Sequence, residues 1–94
     1  MLIELKKFGK VLSSRPSGKE AYMSAKAYIL PQENSDDTLI EIDFNGVDVL
    51  SPSWADEFLT PIAEEARNRV KLLHCKNPTV ISTLELLGLE KLVD

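Results

Sequence analysis

The segment from Leu39 to Phe44 constrains the fold most. Ile40, Ile42 and Phe44 alternate there with Glu41 and Asp43, the period-two pattern of a half-buried strand. Asn45-Gly46 reads as a turn, and Val47 to Leu50 as a short apolar continuation. The period then changes. After Ser51-Pro52-Ser53, the residues Ala55, Phe58, Leu59, Ile62 and Ala66 recur on one helical face. Pro suits a first helical turn, where its missing N–H is not needed. Ser51 can cap this helix, and Ser53 with Asp56 offers a second, capping-box register. Pro61 falls inside the helix and is expected to kink it.

The rest of the chain repeats this strand-then-helix rhythm. Leu2 to Leu12 reads as a hairpin or a bent pair of strands turning at Phe8-Gly9-Lys10. Pro16 disfavours helical geometry at Arg15, and Ser17 with Glu20 fits a capping box. That predicts a helix carrying Ala21, Ala25, Tyr28 and Ile29, stopped by Pro31. Gln32 to Asp37 is a polar loop. Val70 to Leu73 is a further strand. Asn77-Pro78 opens a last helix with Val80, Ile81, Leu84 and Leu87 inward, and Gly88-Leu89 suits a left-handed ending. The order β-β-α-β-α-β-α implies an α/β fold with helices packed on a sheet. Its parallel crossovers are expected to be right-handed, as in ~98% of cases.

Bulk properties narrow the function. The 94 residues are expected to form a single domain, residues 1–94. The net charge is −4 and the lysines and arginines are scattered, which argues against direct binding to nucleic acid or an anionic membrane. No apolar run approaches the ~20 residues of a membrane span, and Glu4, Lys6 and Lys7 interrupt any N-terminal signal-like stretch. Cys75 is the only cysteine, so an internal disulfide is out of reach. These features together predict a cytoplasmic protein.

Catalytic signals are weak. His74 and Cys75 are adjacent, but strand neighbours point to opposite faces. One His and one Cys cannot make a structural zinc site. The four glycines are isolated from one another, so no phosphate-cradling loop or other cofactor motif is present. Asp43, Asp48, Asp56 and Glu57 surround the central loop, where capping and solvation account for two of them.

The order of elements is that of STAS domains, whose best-known members are the anti-sigma factor antagonists. The run Asp43-Phe44-Asn45-Gly46-Val47-Asp48-Val49-Leu50-Ser51-Pro52-Ser53-Trp54-Ala55-Asp56-Glu57-Phe58 resembles the strand–loop–helix of a STAS-like family of uncharacterised bacterial proteins. Ser14-Arg15-Pro16-Ser17-Gly18 resembles it too. The tail from Leu72 to Val93, with Asn77, Val80, Leu84, Gly88 and Leu89, is similar to the last strand and helix of STAS domains. The resemblance implies a mixed four- to five-stranded sheet with helices packed on it. It also implies a non-catalytic, signalling role in binding a protein, either an anti-sigma factor or a serine kinase of the histidine-kinase-like ATPase type. Antagonists carry an Asp-Ser-Ser-Gly-type loop whose serine is phosphorylated. Ser51-Pro52-Ser53-Trp54 stands in its place here, with Trp54 where the family has glycine and either Pro52 or Ser53 at the phosphorylated position.

The resemblance brings three loops to the carboxyl edge of the sheet, where ligands bind in open α/β sheets. They supply Arg15 and Ser17, then Ser51 to Trp54, then His74 to Lys76. Ser53, and after it Ser51, is the candidate phosphoacceptor; Arg15, Ser17, Trp54, Asp56 and Glu57 are the candidate partner-binding residues. For both serines, capping competes with regulation. Trp54 is either an exposed anchor or core. The alternative function is a small-anion or nucleotide sensor, with Arg15 and the helix N-termini as its anion site.

Overall fold

A computed structural model describes residues 1–28 and 39–94. Five strands are seen: β1 Leu2–Glu4, β2 Val11–Leu12, β3 Ile40–Asp43, β4 Val49–Leu50 and β5 Val70–Leu73. Three α-helices accompany them: α1 Arg15–Tyr28, α2 Pro52–Ala66 and α3 Pro78–Leu86. The expected helix end at Ile29 and Pro31, and the loop from Gln32 to Asp37, lie outside the described residues.

The strands do not form one mixed sheet. β1, β3 and β5 make a three-stranded sheet in the order β1-β3-β5, β2 and β4 make a second pair, and every pairing is parallel. The two groups are consecutive stretches of the same two chain segments. Leu2 faces Glu41 but Val11 faces Val49, so the first segment holds one more residue between its two strands than the second.

That extra length replaces the expected hairpin. Leu5–Phe8 is a 3₁₀ turn ending at Gly9, whose φ of 135° disfavours a side chain. The turn drives Leu5 into the core and sets Phe8 edge-on to Phe58, ring centroids 5.4 Å apart. Burial of Leu5 and the packing of half-buried Phe8 against the core outweigh the local turn signal in the sequence. Gly46, with φ 90°, turns the other segment after β3.

α1 begins earlier than its sequence suggests. Ser14 takes φ 76°, its Oγ accepts the Ser17 N–H at 3.3 Å, and its carbonyl accepts the Gly18 N–H at 3.2 Å. Ser14, not Ser17, therefore caps the helix. Pro16 is accommodated because it stands in the first turn, where no N–H is required. α2 runs through Pro61 to Ala66, and Pro61 removes the usual donor to the Glu57 carbonyl.

α3 follows the sequence closely at both ends. Asn77 Oδ1 accepts the Thr79 N–H at 2.8 Å. At the other end Leu89 N–H reaches the Leu84 carbonyl and Gly88 N–H the Glu85 carbonyl, at 2.8 and 3.1 Å, with Gly88 at φ 71°. These are the paired bonds of a left-handed helix stop. One inward assignment fails: Ile81 is 43% exposed, and Thr83 is buried in its place.

Ile3, Ile40, Ile42, Val70 and Leu72 share one core with Trp54, Phe58, Leu59 and Ile62 of α2 and with Val80 and Leu84 of α3. α1 joins chiefly through α2. Gly18 lies so close that a Cβ there would overlap the Trp54 carbonyl oxygen. Tyr22 Oη donates to Glu65 Oε1 at 3.0 Å. Burial, and then the Glu65 carboxylate, push this phenol's pKa up.

Candidate functional site

β2 and β4 both run out at one end of their small sheet, and the two chain segments turn there into α1 and α2. The Ser51 N–H donates to the Leu12 carbonyl at 2.9 Å, which pins the two helix starts side by side. Arg15 then spans the gap. Its Nη1 lies 2.9 Å from Asp56 Oδ2 and 3.2 Å from Glu57 Oε2. Thr60 Oγ1 donates to the other oxygen of Asp56 at 3.0 Å. The Arg15 hydrogen bond, helped by Thr60, holds Asp56 below the usual carboxylate range, and Asp56 in turn raises the Arg15 pKa. Arg15, Asp56 and Glu57 thus form one cluster, with exposed Ser17 on the same first turn of α1 as Arg15.

The two serines take different jobs. Ser51 Oγ accepts the Trp54 N–H at 3.2 Å and is the cap of α2. Pro52 is then the first helical residue, and the Ser53–Asp56 capping box is not adopted because Asp56 turns to Arg15 and Thr60. Ser53 is half-buried, and its hydroxyl lies 3.3 Å from Ser51 Oγ.

Trp54 is not a surface anchor. It is 1% exposed and stacks on Phe58 with ring centroids 4.9 Å apart. At the third position of α2 its side chain points into the core between Phe8 and Phe58, so a partner cannot reach it.

His74 to Lys76 do not join the cluster. They leave β5, which belongs to the other sheet. His74, at φ 57°, places Nδ1 2.7 Å from Asp43 Oδ1 at the end of β3. For Asp43, burial raises the pKa, but the Asn45 N–H, His74 and Lys6 outweigh it and leave a net lowering. Burial, and then the Asp43 charge, push the Cys75 thiol up to about 11, so it stays protonated at neutral pH. Among the described residues no group of three His, Cys, Asp or Glu side chains could hold a metal ion, and no helix is long and apolar enough to cross a membrane.

The third wall comes from α3, a contribution the sequence reading missed. Thr79 Oγ1 accepts the Leu50 N–H at 3.1 Å, and Thr83 Oγ1 donates to the Leu50 carbonyl at 2.9 Å. Two threonines one helical turn apart therefore satisfy the edge of β4 that β2 does not reach. Asn77 Nδ2 adds a bond to the Asp48 carbonyl at 2.8 Å. An open groove of about 460 Å³ lies between β4, the start of α2 and α3, lined by Val49, Pro52, Pro78, Ser82 and Leu86 among others. Leu86 is 71% exposed, and Val11, the register partner of Val49, is 61% exposed. The spacing of Thr79, Thr83 and Leu86 on one helical side was the available signal. It carried no meaning until β4 was known to lie beside it.

Compared with known proteins, the chain matches no family model, no curated protein and no solved structure.

Proposed function

We propose that the chain is a STAS-like interaction module of the anti-sigma-factor-antagonist type, non-catalytic, cytoplasmic and switched by phosphorylation of Ser53. Its partner is a histidine-kinase-like ATPase that acts as serine kinase or anti-sigma factor. The observation carrying this reading is the juxtaposition at the start of α2: Ser51 caps the helix and lines an exposed apolar groove, and the Ser53 hydroxyl, free of the capping duty, stands 3.3 Å from Ser51 Oγ. An apolar side chain of the partner would seat against Val49, Pro52 and Leu86. A phosphate on Ser53 adds ~1.5 to 2 negative charges at pH 7, close in sequence to Asp56 and Glu57, and repels a partner from that surface.

The sensor alternative draws less support, because Arg15, its intended cation, is already held by two carboxylates.

The test combines phosphate mapping with stability. Incubated with a kinase of this type and ATP, the chain should gain phosphate on Ser53, and Ser53→Ala should abolish it. Ser51→Ala should cost about 1 kcal/mol as a lost cap and still be phosphorylated. Phosphate confined to Ser51, or none with any such kinase, would remove the switch.

A further inference from the structure

The three-stranded sheet has one buried face and, among the described residues, one that is only partly covered. Ile3, Ile42 and Leu72 form a cross-strand row on the buried side. The opposite side carries two rows, Leu2–Glu41–Lys71 and Glu4–Asp43–Leu73. None of these six is buried: Leu2 and Lys71 are exposed and the others half-buried. All-parallel sheets occur almost only with both faces covered, so a face left partly open among the described residues calls for an occupant.

The charges on this face say which. Glu4 is matched within the chain by Lys6 and Lys7, at 3.4 and 3.8 Å, and Asp43 by His74 at 2.7 Å. Glu41 and Lys71 stand next to each other in register, yet among the described residues neither takes part in an ion pair. The chain as a whole is acidic, with net charge −4. Both signs of charge surround this face: Glu4, Glu41 and Asp43 with Asp94 at its margin, and Lys71 with Lys6, Lys7, His74 and Lys76 beside them. Such a face does not select a strongly charged partner. It does complement itself.

We infer that this face binds a second copy of the chain. A two-fold axis running along the strands, between β3 and β5, lays each copy's β3 over the other's β5. In such a two-fold interface, if one residue contacts another, the reverse contact follows. Glu41 of each copy then meets Lys71 of the other, twice per dimer. Stacked sheets lie ~10 Å apart, a gap that extended Glu and Lys side chains bridge together. Leu2 and Leu73 add apolar surface around the two ion pairs. This face is built by β1, β3 and β5 and leaves the groove between β4 and α3 free.

Sedimentation velocity over a concentration series tests the inference. The parent chain should show a monomer–dimer equilibrium. Glu41→Lys and Lys71→Glu should each weaken dimerisation by about ten-fold or more, because like charges then face each other. The double swap Glu41→Lys/Lys71→Glu should restore it. An equimolar mixture of the two single variants should form a heterodimer, which only a contact between copies can produce and which also shows that both variants are folded. Leu86→Asp, in the groove, should leave the equilibrium unchanged. A parent chain monomeric throughout, a dimer indifferent to both single reversals, a mixture that fails to associate, or a dimer lost with Leu86→Asp would each overturn the inference.

Discussion

Gly18→Ala sets two opposite expectations against each other. Gly18 lies in the first turns of α1, and by helix propensity alone Ala there should stabilise by ~1 kcal/mol. Packing points the other way. A Cβ at position 18 would overlap the Trp54 carbonyl oxygen and stand 2.9 Å from the Trp54 Cα, where ordinary contact begins near 3.4 Å. The obstacle is backbone, and Trp54 is held by the Phe8–Trp54–Phe58 ring cluster, so it cannot swing aside. The two helices must part by several tenths of an ångström. Overpacking of this kind costs ~1–3 kcal/mol, and severe overlap with backbone places this case at the upper end. After the propensity gain, a net loss of roughly 1–2 kcal/mol remains, or a fall in Tm of ~4–8 °C per kcal/mol for a domain this size. Urea unfolding followed by the fluorescence of Trp54, the only tryptophan, measures it. Ser24→Ala, at an exposed position of the same helix, should stay within ~0.5 kcal/mol of the parent. A Gly18→Ala chain as stable as the parent, or more so, would refute the close helix contact.

Thr83→Val should destabilise by ~1–3 kcal/mol, because the shape is kept while the Leu50 carbonyl loses its donor in a buried setting; an unchanged thermal midpoint would mean that α3 does not complete the β4 edge. Asp43 and Asp56 both have lowered pKa values in the folded chain. Their contribution is therefore present above the unfolded carboxylate value of ~3.9 and is lost as pH falls through the lower folded values. Asp43→Asn should make the acid limb of a stability–pH curve shallower below about pH 4, and a limb of unchanged slope would contradict the Asp43–His74 and Asp43–Asn45 contacts.

Much of the fold was readable because its signals are local. The alternation at Ile40, Ile42 and Phe44, the Asn77-Pro78 opening and the Gly88 ending each depend on a few neighbouring residues, and each reappears in the structure with the hydrogen bonds the pattern requires. The errors fall where a distant contact decides. Phe8-Gly9-Lys10 has the composition of a hairpin turn, but Phe8 and Leu5 gain more by entering the core with Phe58. The capping box of Ser17 with Glu20 loses instead to a local competitor, Ser14, which at φ 76° accepts the Ser17 N–H and caps first. Ile81 has the spacing of a core residue, yet Thr83 is turned inward because the Leu50 carbonyl needs a donor.

The candidate site divides the same way. Arg15 beside Asp56 and Glu57 follows from topology, since consecutive parallel strands deliver two helix starts to one end. What topology cannot supply is which strands are consecutive in space. The split of the strands into a sheet of three and a pair sends His74 to Asp43 and away from Arg15, and it leaves β4 with a free edge. A strand would ordinarily fill that edge. Here Thr79 and Thr83 do so from a helix, which brings Leu86 beside Val49 and opens the apolar groove lined by Ser51 and Pro52. The groove is thus a consequence of the missing strand. A third strand paired with β4 would cover Leu50 with backbone and leave no place for a partner's side chain.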